Sequence, residues 1–96
     1  MSRYQKYRGP YTKVKSEKLT VSTNTTLDLT RFEFIDFISF YNDSTYDLIL
    51  KVKERLGTYQ NIIVPPSSSL SLQIDINEIQ VITNSSITFY YVILGY

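Results

Sequence analysis

Catalysis by side chains needs a nucleophile or a proton carrier, and this chain holds few of either. Its 96 residues include no His and no Cys, so the commonest general base and the thiol nucleophile are both missing. Gly9, Gly57 and Gly95 lie too far apart to build a phosphate-cradling loop or a nucleophile elbow. Paired carboxylates remain, Asp43 with Asp47 and Asp75 with Glu78, each pair expected to flank a turn. Carboxylates at strand ends are ordinarily solvated, and these are read that way rather than as the acid and base of a glycosidase. With Asn42 or Asn77 they could hold Ca²⁺ weakly, but no run of spaced oxygen ligands accompanies them. The expectation is a protein that is not an enzyme and takes no cofactor and no metal.

The residues with most to offer a partner stand at the start. Arg3, Tyr4, Lys6, Tyr7, Arg8, Tyr11, Lys13 and Lys15 interleave charge with aromatic rings around the Gly9-Pro10 break. Residues 1–18 hold six bases against Glu17, a balance of +5, and the remainder balances at −4. Such a segment suits nucleic acid, with cations for phosphates and rings for stacking on bases. It also suits an arm laid over an acidic protein neighbour, with Tyr as a low-entropy anchor. The third reading is a solvated tail. Protein docking is the preferred one, and an acidic body with a basic arm also allows arm-to-body self-association. With no sustained periodicity before about Lys18, residues 1–17 are expected to form an extended arm and 18–96 a single β domain.

The body that must position these groups reads as strands. Ala is absent while Tyr, Phe, Ile, Val and Thr abound, which favours a pleated surface over helices. Leu19, Val21 and Thr23 alternate with polar neighbours, and Asn24-Thr25-Thr26 turns the chain. Leu27 and Leu29 lead into Phe32 to Tyr41, where the apolar phase slips at Phe34-Ile35 and predicts a bulge or bend. Asn42 to Thr45 reads as a turn, and Tyr46, Leu48, Leu50 and Val52 then share one face. Tyr59 to Val64 is a short strand stopped by Pro65-Pro66 and Ser67-Ser68-Ser69. Leu70 to Ile76 alternates cleanly, Asn77-Glu78 reads as a turn into Ile79 to Ile82, and Asn84-Ser85-Ser86 turns into Ile87 to Leu94. The prediction is all-β: seven or eight antiparallel strands in a sandwich, jelly-roll-like or immunoglobulin-like.

The last strand is apolar on both faces. Ile87, Phe89, Tyr91 and Ile93 line one side, and Tyr90, Val92 and Leu94 the other. Such a strand is covered twice, either by its own chain or by a neighbouring subunit, so Phe89, Tyr90, Tyr91, Val92 and Leu94 are candidate interface residues. A chain this short buries only about 60–65% of its unfolded surface. Without disulfides or zinc ligands, oligomerisation or docking is the expected extra stabiliser. Asn24, Asn42 and Asn84 begin Asn-x-Ser/Thr sequons, but turn chemistry accounts for all three. No secretory or membrane-spanning stretch is read in the sequence, so synthesis in the cytoplasm is expected. A sugar-binding module is a competing reading: Trp is absent, and the nine tyrosines could serve in its place without marking a site.

From Phe37 onward the pattern resembles small β-sandwich proteins of bacteriophage virions, such as head decoration, cement and fibre-base modules. The matching stretches are Ile38-Ser39-Phe40-Tyr41-Asn42-Asp43-Ser44, Asp47-Leu48-Ile49-Leu50, Ile63-Val64-Pro65-Pro66-Ser67-Ser68-Ser69-Leu70 and Ile79-Gln80-Val81. They span about two-thirds of the chain, and strand, Asn turn, strand and Pro-Pro-Ser loop recur in many sandwiches. A composition poor in Ala and rich in Ile, Tyr, Lys and Asn is similar to that of proteins from AT-rich phage genomes. The resemblance implies a non-catalytic capsid-bound protein in many copies, located in the virion, with a major capsid or other virion protein as partner. The basic arm has no fixed counterpart in the pattern.

Overall fold

Alternating apolar residues become seven β-strands in a computed structural model that describes residues 10–96. They are β1 (Lys13–Val21), β2 (Thr25–Thr26), β3 (Ile35–Asn42), β4 (Leu48–Glu54), β5 (Tyr59–Val64), β6 (Ser69–Ile82) and β7 (Ile87–Gly95). Every pairing is antiparallel and all belong to one sheet, in the order β1-β7-β3-β6-β4-β5, with β2 also paired to β6. No helix occurs among the described residues. The expected all-β antiparallel architecture is therefore present, as one continuously hydrogen-bonded sheet.

Strand β6 organises that sheet. Its first half pairs with β3, from Tyr41↔Ser69 to Ile35↔Ile76, and its second half pairs with β4, from Glu54↔Ile76 to Ile49↔Ile82. The turn expected at Asn77-Glu78 is absent, because β6 runs unbroken through both residues. In its place the ladder shifts by one residue between Lys53 and Glu54, which leaves Asn77 as the extra residue of a bulge. Ile76 is buried before the bulge, and Ile79 and Val81 after it. An odd number of inserted residues flips the side-chain phase whether the chain turns or bulges. The slip near Phe34-Ile35 is likewise a bulge, located between Ile35 and Phe37 on both ladders of β3.

One face of the sheet supplies a single core. Ile38 and Phe40, Leu48, Leu50 and Val52, Val64, Ile76, Ile79 and Val81, and Ile87, Phe89, Tyr91 and Ile93 form one buried cluster. Leu27 joins them from the β2–β3 connection, and Leu29 and Phe32 of that connection pack against the cluster. Phe40, Phe89 and Tyr91 meet ring to ring, with centroids 5.6 to 6.0 Å apart.

The first residues of the body differ from expectation. Residues 13–17, read as the end of an arm, are the first half of β1 and pair with β7 from Lys13↔Gly95 onward. Their register continues outward through Thr12, whose N–H donates to Gly95 O at 3.1 Å. The lysines of this strand are spaced like those of a solvated tail, but regular hydrogen bonding to a buried neighbour outweighs that weak local pattern.

Candidate functional site

The described members of the two groups of residues expected to meet partners lie side by side. Pairing of β1 with β7 places Lys13 and Lys15 next to the candidate interface strand, and Tyr11 stands just before β1. Arg3, Tyr4, Lys6, Tyr7 and Arg8 lie outside the described residues. Tyr11 donates from its hydroxyl to Asp36 Oδ2 at 3.2 Å and rests its ring 5.5 Å from that of Tyr96. Burial, and then Asp36 beside it, push the Tyr11 phenol above its ordinary pKa. Lys15 turns toward the β2–β3 connection, donating to Asp28 O at 2.6 Å, with Glu17 at 3.7 Å. Of these three, Lys13 alone is exposed, and Tyr11 and Lys15 are half-buried.

Strand β7 divides its candidates between two faces. Phe89 and Tyr91 point into the core and are closed to a partner, which corrects their assignment as interface residues: alternation along one strand sends every second side chain inward. Tyr91 reaches the rim of the core, where its hydroxyl donates to Glu17 Oε1. Burial first, and that hydrogen bond second, hold its phenol well above the ordinary range. Tyr90, Val92 and Leu94 occupy the other face, Tyr90 with 42% of its surface exposed.

The pairing register assembles a platform around those three. Across the strands, Lys18, Tyr90, Tyr41 and Ser69 form one row, Ser16, Val92, Ser39 and Ser71 the next, and Val14, Leu94, Phe37 and Gln73 a third. The middle row is short-chained, so it leaves a shallow groove of about 310 Å³ lined by Ser16, Ser39, Tyr41, Tyr90 and Val92. The hydroxyl of Ser39, which lines it, shares a hydrogen bond of 2.9 Å with that of Ser71. The Tyr41 and Tyr90 rings flank the groove with centroids 6.1 Å apart, and the Lys18 ammonium sits 5.1 Å from the Tyr90 ring. Cations over ring faces and paired rings favour these positions modestly. Such a face can hold an apolar side chain, a sugar ring or another protein surface. Sequence reading missed Tyr41, Ser16, Lys18 and Ser39 because only the cross-strand register makes them neighbours of β7.

Asp75 accepts from Arg55 Nε at 2.9 Å, and the Arg55 guanidinium lies 4.0 Å from the Phe34 ring centroid. Asp43 and Asp47 are exposed around the β3–β4 turn. No group of three or more Asp or Glu able to hold a metal occurs among the described residues. Asp28 accepts from the Thr30 hydroxyl at 2.7 Å and the Thr30 N–H at 3.0 Å, and these two bonds, the side-chain one first, lower its pKa.

Asn42 is the buried polar residue of the described chain, and its role is structural. Its side-chain amide donates to Tyr46 O at 2.7 Å and Val64 O at 2.9 Å, and Ser44 donates to its Oδ1 at 2.7 Å. Its backbone meets the next loop as well, with Asn42 N–H to Ser68 O and Ser67 N–H to Asn42 O, both 2.9 Å. A sequon with no exposed Asn side chain cannot be a glycosylation acceptor in the folded protein. No protein-family model, curated protein or solved structure matches the chain.

Proposed function

We propose that this chain is a non-enzymatic virion structural protein, a minor capsid, cement or decoration protein that docks on a capsid or tail lattice. The observation that carries the reading is the platform on the outer face of β7, where Tyr90, Val92 and Leu94 are joined by Val14, Phe37 and Tyr41. Apolar and aromatic side chains gathered on one half-exposed face are what a protein partner buries, with Tyr prominent among residues that anchor interfaces. On β1, Lys18 stands in the same row as Tyr90 and supplies charge for an acidic neighbour. In this reading the sheet acts as a jelly-roll-like sandwich, with β6 shared between its layers. Support comes from the near-zero exposure of inner-face residues with no helix among the described residues to cover them, and from a smallest dimension of 21 Å, about twice the spacing of two packed sheets.

The test is quantitative mass spectrometry of virus particles purified from the chain's source, with wild type, a deletion of residues 1–9, and Tyr90→Glu/Val92→Glu. Wild type is expected at many copies per particle, and the double variant at least roughly tenfold below it, as loss of a desolvated interface centre requires. Absence of the chain from particles, or undiminished occupancy of the double variant, would sink the reading.

A second reading has one observation in its favour. Tyr41 and Tyr90 flank a groove lined by Ser16 and Ser39, an arrangement that suits a sugar ring stacked on an aromatic face. A glycan array showing binding that Tyr41→Ala and Tyr90→Ala both abolish would favour it, and a blank array would remove it.

A further inference from the structure

The two edges of the described sheet are finished differently. Edge strand β1 carries Lys13, Lys15, Glu17 and Lys18. The β2–β3 connection reaches over to it, with Arg31 Nη1 donating to Val14 O at 2.6 Å. Charges and covering contacts of this kind stop an edge from recruiting a further strand. The opposite edge, β5, has neither charge nor proline in Tyr59-Gln60-Asn61-Ile62-Ile63-Val64. On it Ile63 is 58% exposed and Tyr59 44% exposed.

The free backbone groups of β5 can be assigned. Glu54 N–H donates to Thr58 O at 2.8 Å, so these residues form a hydrogen-bonded pair at the end of the β4–β5 ladder. Hydrogen-bonded and non-hydrogen-bonded pairs alternate along an antiparallel ladder, and this one runs without a shift from Lys53↔Tyr59 to Leu48↔Val64. Gln60, Ile62 and Val64 therefore turn their N–H and C=O groups to β4. Tyr59, Asn61 and Ile63 turn theirs outward.

We propose that β5 is a homodimerisation edge, on which a second copy of this chain lays its own β5 antiparallel about a two-fold axis at Asn61. That register sets Asn61 against Asn61 of the second copy and each Tyr59 against the other copy's Ile63. Both are odd-numbered residues on one face, and an aromatic ring opposite a β-branched side chain is a favourable cross-strand pair. Two-fold registers one step either way set Asn61 opposite Tyr59 or Ile63 and leave an exposed apolar residue unmatched. Lys51 and Lys53 ammoniums lie 4.8 and 5.6 Å from the Tyr59 ring and hold it on the outer face of its own sheet. Ile49 pairs with Ile63 on one side and Ile82 on the other, so an apolar row leads up to the joint. An isologous contact of this type closes at two subunits. It stands apart from the virion reading, since β5 and the β7 face lie in different parts of the sheet.

The chain contains no cysteine, which makes single-cysteine crosslinking decisive. In the proposed register the two residues at position 61 form a hydrogen-bonded pair with Cα atoms about 5.5 Å apart, within the span of a disulfide. Mild oxidation of Asn61→Cys is expected to give a covalent dimer, while Ser86→Cys, on the β6–β7 turn, stays largely monomeric. Sedimentation of the unmodified protein should show a dimer that dissociates on dilution. Ile63→Lys, folded by circular dichroism, should weaken it at least roughly tenfold by placing a charge on the joint. Asn61→Pro, which removes an outward N–H alone, is a second folded variant expected to be monomeric. A monomer at about 100 μM, where even weak pairing is populated, overturns the proposal. So does equal crosslinking at positions 61 and 86, or a dimer indifferent to Ile63→Lys.

Discussion

Tyr91 joins the core to a charge at its rim, and that makes it a residue through which alkaline pH acts on stability. Burial raises its phenol pKa most, and donation to Glu17 adds to the effect. In the unfolded chain a tyrosine ionises near pH 10. The folded pKa is the higher one, so the stabilisation is complete below about pH 10 and is lost as pH rises through the folded value. Urea titrations at pH 7, 9, 10 and 11 should show a midpoint steady to about pH 9 and falling beyond pH 10. Tyr91→Phe should cost about 1.5–3 kcal/mol at pH 7, as for a hydrogen bond to a charged group, and should flatten the alkaline fall. Some slope will persist, because the phenols of Tyr11 and Tyr96 are also raised, each by burial first and Asp36 second. Asn42 is a different case, a buried amide that bridges three segments. Asn42→Ala removes the donations to Tyr46 O and Val64 O, and at about 0.5–1.5 kcal/mol for each hydrogen bond the loss is about 1–3 kcal/mol. An unfolding free energy lowered by that amount in chemical denaturation is expected, and a neutral effect would remove the bridging role. The sequence showed Asn42 as a turn residue, which it is. Its burial was not legible, since the loop that closes over it arrives from residues 64–68.

At the scale of elements, local phase was legible and its cause was not. Two slips in apolar alternation stand in the sequence, near residues 34–37 and at 77–78. Both are bulges, yet one reads equally well as a turn, because a turn and a one-residue insertion reverse facing in the same way. Turns fixed by side-chain chemistry were easier. The loop after Pro65-Pro66 places Ser67 at φ 56° and closes with Ser68 N–H to Pro65 O at 3.2 Å, as a proline followed by a left-handed residue does. Gly95 shows the reverse situation. At the end of β7 it carries no mark in the sequence, but a Cβ there would collide with the Phe34 carbonyl. That carbonyl also accepts from Tyr96 N–H at 2.8 Å, and Tyr96 O accepts from Phe34 N–H at 3.0 Å. Gly95→Ala should therefore cost about 1–3 kcal/mol, the range for overpacking. Hydrogen exchange should report the loss first at the amides of Phe34 and Tyr96, and an unchanged exchange pattern would count against the close approach.

For the whole molecule the question is how a short chain without disulfides completes its stability. One contiguous core serves all the long strands, and the edge at β5 offers a further increment through a second copy. Binding that favours the folded state raises stability by mass action, so the thermal midpoint should increase with protein concentration, and should not for Ile63→Lys. A midpoint independent of concentration in the wild type would speak against association through β5. The sequence by itself determined the strand-rich character, the turns at 42–45 and 65–69, and the two-sided apolar nature of the last strand. These depend on alternation and on turn-forming side chains, which act over a few residues. Only the tertiary structure decided that residues 13–17 belong to β1, that β6 is one strand, and that Tyr41 and Tyr90 share a platform. It alone made β5 an edge. Strand order and register are set by contacts between residues far apart in the chain, and a strand's own sequence is nearly silent about which neighbour it will have.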